Sequence, residues 1–377
     1  MTRARAFITS SQPDEILFRG MRIMIVTDAW FPQTNGVVRT LAQTAAWLGR
    51  FGHEVRTLTP RDFRSVPCPT YPEIRLSLFP GRAVGKAIAA FAPQALHIAT
   101  EGPLGLAARR HCRAHGMRFT TSYHTQFPQY LRARFPIPIS ASYWALRRFH
   151  AAGARCMVST RSLRQSLADR GFRNLTSWCR GVDTEIFKPR AKDFLDLPRP
   201  IAACVGRVAI EKNIEAFLRM PWDGGKIVIG DGPERARLES QYPEVRFTGY
   251  RFQEDLARHL AAADVMVFPS RTDTFGLVNL EAMACGVPVA AYPVTGPIDV
   301  IEDGVTGALD EDLARAAHRA LALDPEACRR HALQFGWDVI TRQFEANLVP
   351  CRSGEFPPVA SGCSAGSPPP AAASAGI

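Results

Sequence analysis

The chain has 377 residues, with 46 Lys and Arg against 35 Asp and Glu, a formal charge of +11. Apolar residues make up 46%, enough for the cores of two ordinary domains, yet no apolar run reaches the ~20 residues that a membrane-spanning helix needs. The nine cysteines form no CxxC pair and no Cys/His spacing suited to zinc, so they read as reduced core residues of a cytosolic protein.

Residues 1–20 carry neither a long apolar stretch nor a cleavage signature, and are expected to be a disordered extension rather than a signal peptide. "RIMIVT" (22–27) is a buried-type strand, "VVRTLAQTAAWLGRFG" (37–52) has helical spacing and a Gly stop, and "HEVRTLTP" (53–60) is the next strand. This opening predicts a doubly wound parallel sheet. Further strands are expected at 95–100, 118–125 and 155–160, with helices near 104–115, 140–153 and 161–170. The pattern breaks over 180–200, which is rich in Pro and charge, and restarts at "IAACVGR" (201–207). The expected organisation is an N-terminal Rossmann-like domain over 21–185, a linker over 186–200, and a C-terminal Rossmann-like domain over 201–330. A last helix over 331–349 and a disordered Pro/Ser/Gly/Ala-rich tail over 350–377 complete it. Two α/β Rossmann-like domains then face each other across a cleft, with ligands at the carboxyl ends of the strands.

Charge is divided unevenly. Residues 21–190 hold 25 Lys and Arg against 8 Asp and Glu, a balance of +17, whereas residues 196–349 hold 16 against 23, a balance of −7. Either the first half faces an anionic partner, membrane surface or nucleic acid, or its arginines are a solvated surface. Clusters at Arg109, Arg110 and Arg113, and at Arg132, Arg134, Arg147 and Arg148, are interleaved with Phe127, Tyr130, Leu131, Phe135 and Trp144. That mixture suits a lipid headgroup region.

Three loops in the second half carry candidate chemistry. In "CVGRVAIEKN" (204–213), Arg207 and Lys212 follow a strand and stand beside a helix start, an arrangement that suits an anion such as a diphosphate. They could equally be surface cations around Glu211. "GDGP" (230–233) permits a tight turn and a close approach of ligand to backbone. In "SRTDTFGLVNLEAMACGVPV" (270–289), Glu281 is the only charge between Phe275 and Val289. A buried carboxylate loses several kcal/mol unless it is hydrogen-bonded, so Glu281 either pairs with a cation or awaits ligand hydroxyls. Asp273 can accept from sugar hydroxyls, and the backbone N–H groups of Phe275, Gly276 and Leu277 can cap phosphate oxygens. In the first half, Asn35-Gly36 is expected to make an unusual backbone turn facing the cleft, and His124 in "SYHTQFPQY" ends a strand there. No GxGxxG follows the first strand, which argues against a nicotinamide dehydrogenase.

In this order, "NGVVRT", "SYHTQFP", "RGVDTEIFKP", "VGRVAIEKN", "GDGP" and "PSRTDTFGLVNLEAMACGVPV" resemble glycosyltransferase family 4 over roughly residues 21–348. The resemblance implies the GT-B fold and retaining transfer of a hexosyl unit, mannose or glucose, from a nucleoside diphosphate sugar. GDP-mannose-dependent α-mannosyltransferases and glycolipid synthases look most similar. It implies that Arg207 and Lys212 hold the donor diphosphate, that Glu281 binds the ribose, that Gly36 lets backbone approach the phosphates, and that His124 lies beside the transferred sugar. Asp273 stands where the family's E-x7-E pattern has its first Glu, and its shorter side chain reaches less far. Trp337 resembles the residue at which the chain crosses back to the first domain. No cofactor and no metal are expected. The resemblance further implies that 21–185 faces the acceptor and 201–330 binds the nucleotide sugar. The expected donor is GDP-mannose or a UDP-hexose, the expected acceptor a lipid or cell-envelope glycan, and the expected location cytoplasmic, peripheral on the inner face of the membrane. Two rivals are a nucleotide-sugar epimerase of the same fold, for which no convincing set of acid/base carboxylates is visible, and a nucleic-acid-binding protein, for which no helix-turn-helix or RNP pattern is present.

Overall fold

The computed structural model describes residues 20–352 apart from 34, 69–70, 125–137 and 274. Its first sheet is built from β1 (Arg22–Val26), β2 (Glu54–Leu58), β5 (Ala95–Ile98), β6 (Thr120–Tyr123), β7 (Arg155–Val158) and β8 (Leu175–Ser177). All pairs are parallel, in the order β2-β1-β5-β6-β7-β8. An antiparallel hairpin, β3 (Ser65–Cys68) with β4 (Tyr71–Ser77), stands apart from it.

The second sheet comprises β9 (Ala202–Val205), β10 (Lys226–Ile229), β11 (Arg246–Phe247), β12 (Val265–Phe268), β13 (Val289–Ala291) and β14 (Gly307–Leu309). Its order, β11-β10-β9-β12-β13-β14, reverses direction between β9 and β12. The first sheet reverses between β1 and β5. Ligand crevices form at such switch points, outside the carboxyl ends of the strands. Both sheets are covered on both faces, which is why their strands read as continuous apolar runs. In β1, Ile23 and Ile25 pack on one face with Leu41 and Leu48, while Met24 and Val26 pack on the other with Leu96 and Leu104.

The chain crosses between the sheets twice, and the crossings touch. Val182 N–H donates to the Phe335 carbonyl at 2.9 Å. A Cβ on Gly181 would sit 2.6 Å from the Trp337 ring, so only glycine fits there. After the second crossing the helix Trp337–Asn347 returns to the first sheet, where Ile340 and Phe344 join the core of Ile23, Ile25 and Leu41. Burying Phe344 completely contributes about 1.5–3 kcal/mol. Residues 350–352, placed in the expected disordered tail, are ordered instead. Cys351 is buried, its N–H reaches the Gln94 carbonyl at 2.7 Å, and its own carbonyl accepts from Arg118 N–H at 2.9 Å. Residues 353–377 and 1–19, expected to be disordered, lie outside the described residues, as do Phe127, Tyr130, Leu131, Arg132, Arg134 and Phe135. None of the eight described cysteines forms a disulfide among the described residues, and six of them are buried.

Candidate active site

The loop from β9 carries Arg207, makes a short 3-10 turn at Ile210–Lys212, and is tied to the loop after β12 by Asn213 Nδ2, which donates to the Pro269 carbonyl at 3.1 Å. Lys212 Nζ is 2.5 Å from Asp273 Oδ1. The two residues, read from the sequence as separate diphosphate and sugar contacts, are paired with each other. The "GDGP" glycines serve packing. A Cβ on Gly230 would lie 1.8 Å from the Gly206 carbonyl oxygen, and one on Gly232 would lie 2.3 Å from that of Val208. Asp231 is occupied locally by Gly232 N–H and Arg235, each at 2.8 Å.

The third loop ends in the helix Leu277–Ala284. Phe275 is buried, and Gly276 adopts φ +79° as the N-cap residue, with no side-chain cap on the helix. No side chain therefore caps the start of this helix, and uncapped helix N-termini favour anions. Glu281 is 3% exposed. Its Oε1 accepts from Arg39 Nη2, on the helix Gly36–Arg50 of the other domain. Its Oε2, Asp273 Oδ2 and both side-chain polar atoms of Asn279 are buried with no hydrogen-bond partner among the described residues. Leaving one such group unsatisfied costs about 1–3 kcal/mol, which makes this cluster on one loop and helix a candidate ligand site.

On the facing domain, the Asn35-Gly36 turn differs from the expectation. Asn35 is extended (φ −139°), and its side chain caps the helix by accepting from Val37 and Val38 N–H. Gly36 is simply the first helical residue. The side-chain carboxamide offers a better solution than a left-handed turn, because it satisfies two otherwise unpaired helix donors. A Cβ on Gly36 would lie 3.3 Å from Leu277 Cδ1. Two helix N-termini, one from each domain, therefore meet at the cleft, with Arg39 beside them. A second link across the seam runs from Ser162 to Asp299, whose Oδ1 accepts from Ser162 N–H at 3.0 Å.

His124 follows β6 and is buried. Arg180 Nη2 lies 2.5 Å from Nδ1, and Ser122 Oγ lies 2.7 Å from Nε2. A guanidinium can only donate, so Nδ1 keeps its lone pair and the ring is the neutral Nε2–H tautomer, donating to Ser122. Burial, then Arg180, then His97 and His150, hold its pKa well below the usual histidine value. Burial also lowers the Arg180 guanidinium to about 10. The network continues from Ser122 to His97 Nε2 at 3.1 Å and from His97 Nδ1 to Thr120 at 2.9 Å. His124 is therefore a fixed, uncharged wall and not a proton acceptor.

The structure thus joins Lys212 to Asp273, Glu281 to Arg39, Gly36 to Leu277 and His124 to Arg180. Arg207 sits on the Lys212 loop, and Phe275 with Gly276 shapes the start of the helix that carries Glu281. Sequence reasoning missed Arg39, Arg180 and Asn279. Each lay inside a motif already singled out, "NGVVRT", "RGVDTEIFKP" and "TFGLVNLE", but was passed over for its neighbours. Among the described residues, no group of three or more His, Cys, Asp or Glu is placed to hold a metal ion.

Two family matches cover these loops. The family described as Glycosyltransferase Family 4 matches residues 34–186, and that described as Glycosyl transferases group 1 matches residues 199–323. A GDP-mannose-dependent alpha-mannosyltransferase of Mycobacterium tuberculosis is 31% identical over 317 residues, covering 77% of this chain and 84% of the relative. The chain belongs to glycosyltransferase family 4. A sulfoquinovosyl transferase of Arabidopsis thaliana is 30% identical to this glycosyltransferase over 331 residues, covering 78% of it and 64% of the relative. Among solved structures, Anabaena HepE in complex with UDP-glucose superposes with a TM-score of 0.66 at 16% identity, covering 86% of this chain and 98% of that one. Sucrose-phosphate synthase from Thermosynechococcus elongatus gives 0.66 at 20% identity, with coverage of 86% and 98%. The fold of this glycosyltransferase is GT-B, and the epimerase reading is set aside.

Proposed function

We propose that this glycosyltransferase moves a mannosyl unit from GDP-mannose to an acceptor hydroxyl with retention of the α configuration and without a metal. The observation that carries the reading is the set of unsatisfied buried atoms on Asp273, Asn279 and Glu281 beside two converging helix N-termini. The open oxygen of Glu281 suits ribose hydroxyls, and the helix ends with Arg207 and Lys212 suit the diphosphate. Negative charge grows on that diphosphate as the sugar–phosphate bond breaks. Fixed cations and helix dipoles stabilise it without reorganising. The new glycosidic bond forms on the same face, and the acceptor proton passes to the departing phosphate oxygen, so His124 need not act as a base. Asp273 positions Lys212.

The mannosyl donor is supported by the relatives named for GDP-mannose. A UDP-hexose is the second reading, favoured by the UDP-glucose complex of the structurally similar HepE. A lipid acceptor and a peripheral membrane location are supported by the basic N-terminal half. No helix among the described residues is long and apolar enough to cross a membrane. The test is to incubate the purified protein with labelled GDP-mannose or UDP-glucose and membrane lipids, with and without a chelator, and to read the anomeric configuration of the product by NMR. A β-linked product, chelator-sensitive turnover, or no transfer from either donor would each remove a part of the proposal.

A further inference from the structure

The N-terminal domain holds a second concave site. A groove of about 600 Å³ is lined by Arg109 and Arg113 of the helix Pro103–Ala114, by Trp144, Arg147 and Arg148 of the helix Ile139–His150, and by Arg173. Two of these arginines brace the structure. Arg109 donates to the Phe149 and Arg148 carbonyls at 3.0 and 2.9 Å, and Arg147 donates to the Arg170 carbonyl at 3.1 Å. Both thereby satisfy helix C-terminal carbonyls and offset the negative end of the dipole. Arg113, Arg148 and Arg173 are not engaged in this way, and their side chains donate to no protein group among the described residues. No carboxylate among the described residues pairs with any of the five. Burial, with Arg113 and Arg148 as neighbours, lowers the pKa of the Arg109 guanidinium. Trp144 is 58% exposed, with the Arg148 guanidinium 6.0 Å from its ring centroid.

The groove lies away from the donor cleft. Arg113 and Arg147 sit in the last turns of helices that run back from the carboxyl ends of the strands, and Arg173 lies two residues before β8. The lining therefore gathers at the amino-terminal edge of the sheet, whereas His124 and Gly36 lie beyond the carboxyl ends. Like charges crowded without counter-charge in a walled groove are costly unless an anion joins them.

We propose that this groove binds a small, multiply phosphorylated anion at a site separate from the donor cleft. Guanidinium forks grip phosphate oxygens bidentately, several forks favour clustered phosphates over one, and Trp144 supplies an apolar wall. The volume is that of an ordinary small-ligand site. A free oligophosphate and the headgroup of a phosphorylated lipid share this chemistry. The inference rests on the charge of the N-terminal half and stands apart from the transfer reaction.

The experiment is calorimetric titration of the full chain with inorganic tripolyphosphate, beside co-sedimentation with phosphatidylcholine vesicles carrying phosphatidic acid. Three proteins are compared: wild type, the triple variant Arg113→Ser/Arg148→Ser/Arg173→Ser, and Arg207→Ala. The triple variant should lose about tenfold or more in affinity, with an unchanged melting temperature and unchanged nucleotide affinity, while Arg207→Ala keeps this binding. Tripolyphosphate binding assigns a soluble anion. Vesicle binding without it assigns a lipid headgroup. Binding of neither probe, equal binding by the triple variant, or loss in Arg207→Ala alone overturns the site.

Discussion

Beyond the carboxyl end of β12, Asp273 and Glu281 each hold one cation and keep a second oxygen without a partner among the described residues. Beyond that of β6, His124 has both ring nitrogens engaged, and the bonds run on through Ser122 to His97. The same position in two similar sheets thus carries opposite solutions. In the proposed function, the hydroxyls and negative charge of the donor complete the C-terminal side. On the N-terminal side the His124 ring itself is fully engaged and neutral, held against the Arg180 guanidinium, whose Nη1 is buried without a hydrogen-bond partner among the described residues. Substrate contacts should therefore dominate substitutions in the first region, and folding and acid sensitivity those in the second.

The largest expected effect is on the donor side. Arg207→Ala and Lys212→Ala should each lower kcat/KM by roughly 30- to 900-fold, about 2–4 kcal/mol of transition-state stabilisation. Chemical denaturation should show little change, because both side chains are partly exposed. Wild-type turnover in either variant would break the comparison.

A smaller loss should follow from Gly276→Ala. The new Cβ would be held at φ +79°, 2.6 Å from Asn279 Nδ2 and 2.9 Å from Phe268 Cζ, a strain of about 1–3 kcal/mol. Melting curves should show it. Gly36→Ala meets only the flexible end of Leu277 in a helical conformation, and should change stability by less than about 0.5 kcal/mol.

The N-terminal network should reveal itself through pH. Burial, then Arg180 and His150, lower the His97 pKa to about 3. Below the ordinary value of 6.5 the unfolded chain takes up a proton that the folded one refuses. Its contribution is therefore fully present above pH 6.5 and is lost as pH falls towards 3, at up to about 1.4 kcal/mol per pH unit. His150 has the opposite sign. Burial opposes its charge, but Cys156 and then Glu101 outweigh that and raise it to about 10, so its share is present below 6.5 and fades towards 10. The difference between wild type and His97→Gln isolates His97: the variant should lose less stability between pH 7 and pH 5. Identical slopes would contradict the buried neutral ring.

Much of this was readable from the chain. The apolar runs of β1, β9 and β12, and the helix Gly36–Arg50, carry their own periodicity. The hairpin of β3 and β4 was missed because Pro67 and Pro72 weaken both strands as sequence signals, and β14 is only three residues long. Glu281 announced itself as one charge in an apolar run. Its partner did not, because Arg39 lies 242 residues away and looks like a solvated helix residue. Asp273 and Lys212, 61 residues apart, were each assigned to ligand before the fold brought them together. Arg180 was hidden in a stretch whose proline and charge read as linker.

Glu281 bears most directly on whether the C-terminal loops form a donor site. Calorimetry with GDP and UDP on wild type, Glu281→Gln and Arg39→Ala separates its two roles. The account predicts that wild type binds a nucleoside diphosphate, that Glu281→Gln binds it at least about tenfold more weakly, and that Arg39→Ala loses less affinity, because Arg39 occupies only Oε1 and leaves the ribose-facing Oε2 in place. Unchanged nucleotide affinity in Glu281→Gln, with an equal fall in melting temperature in both variants, would show instead that the carboxylate exists only to hold the two domains together.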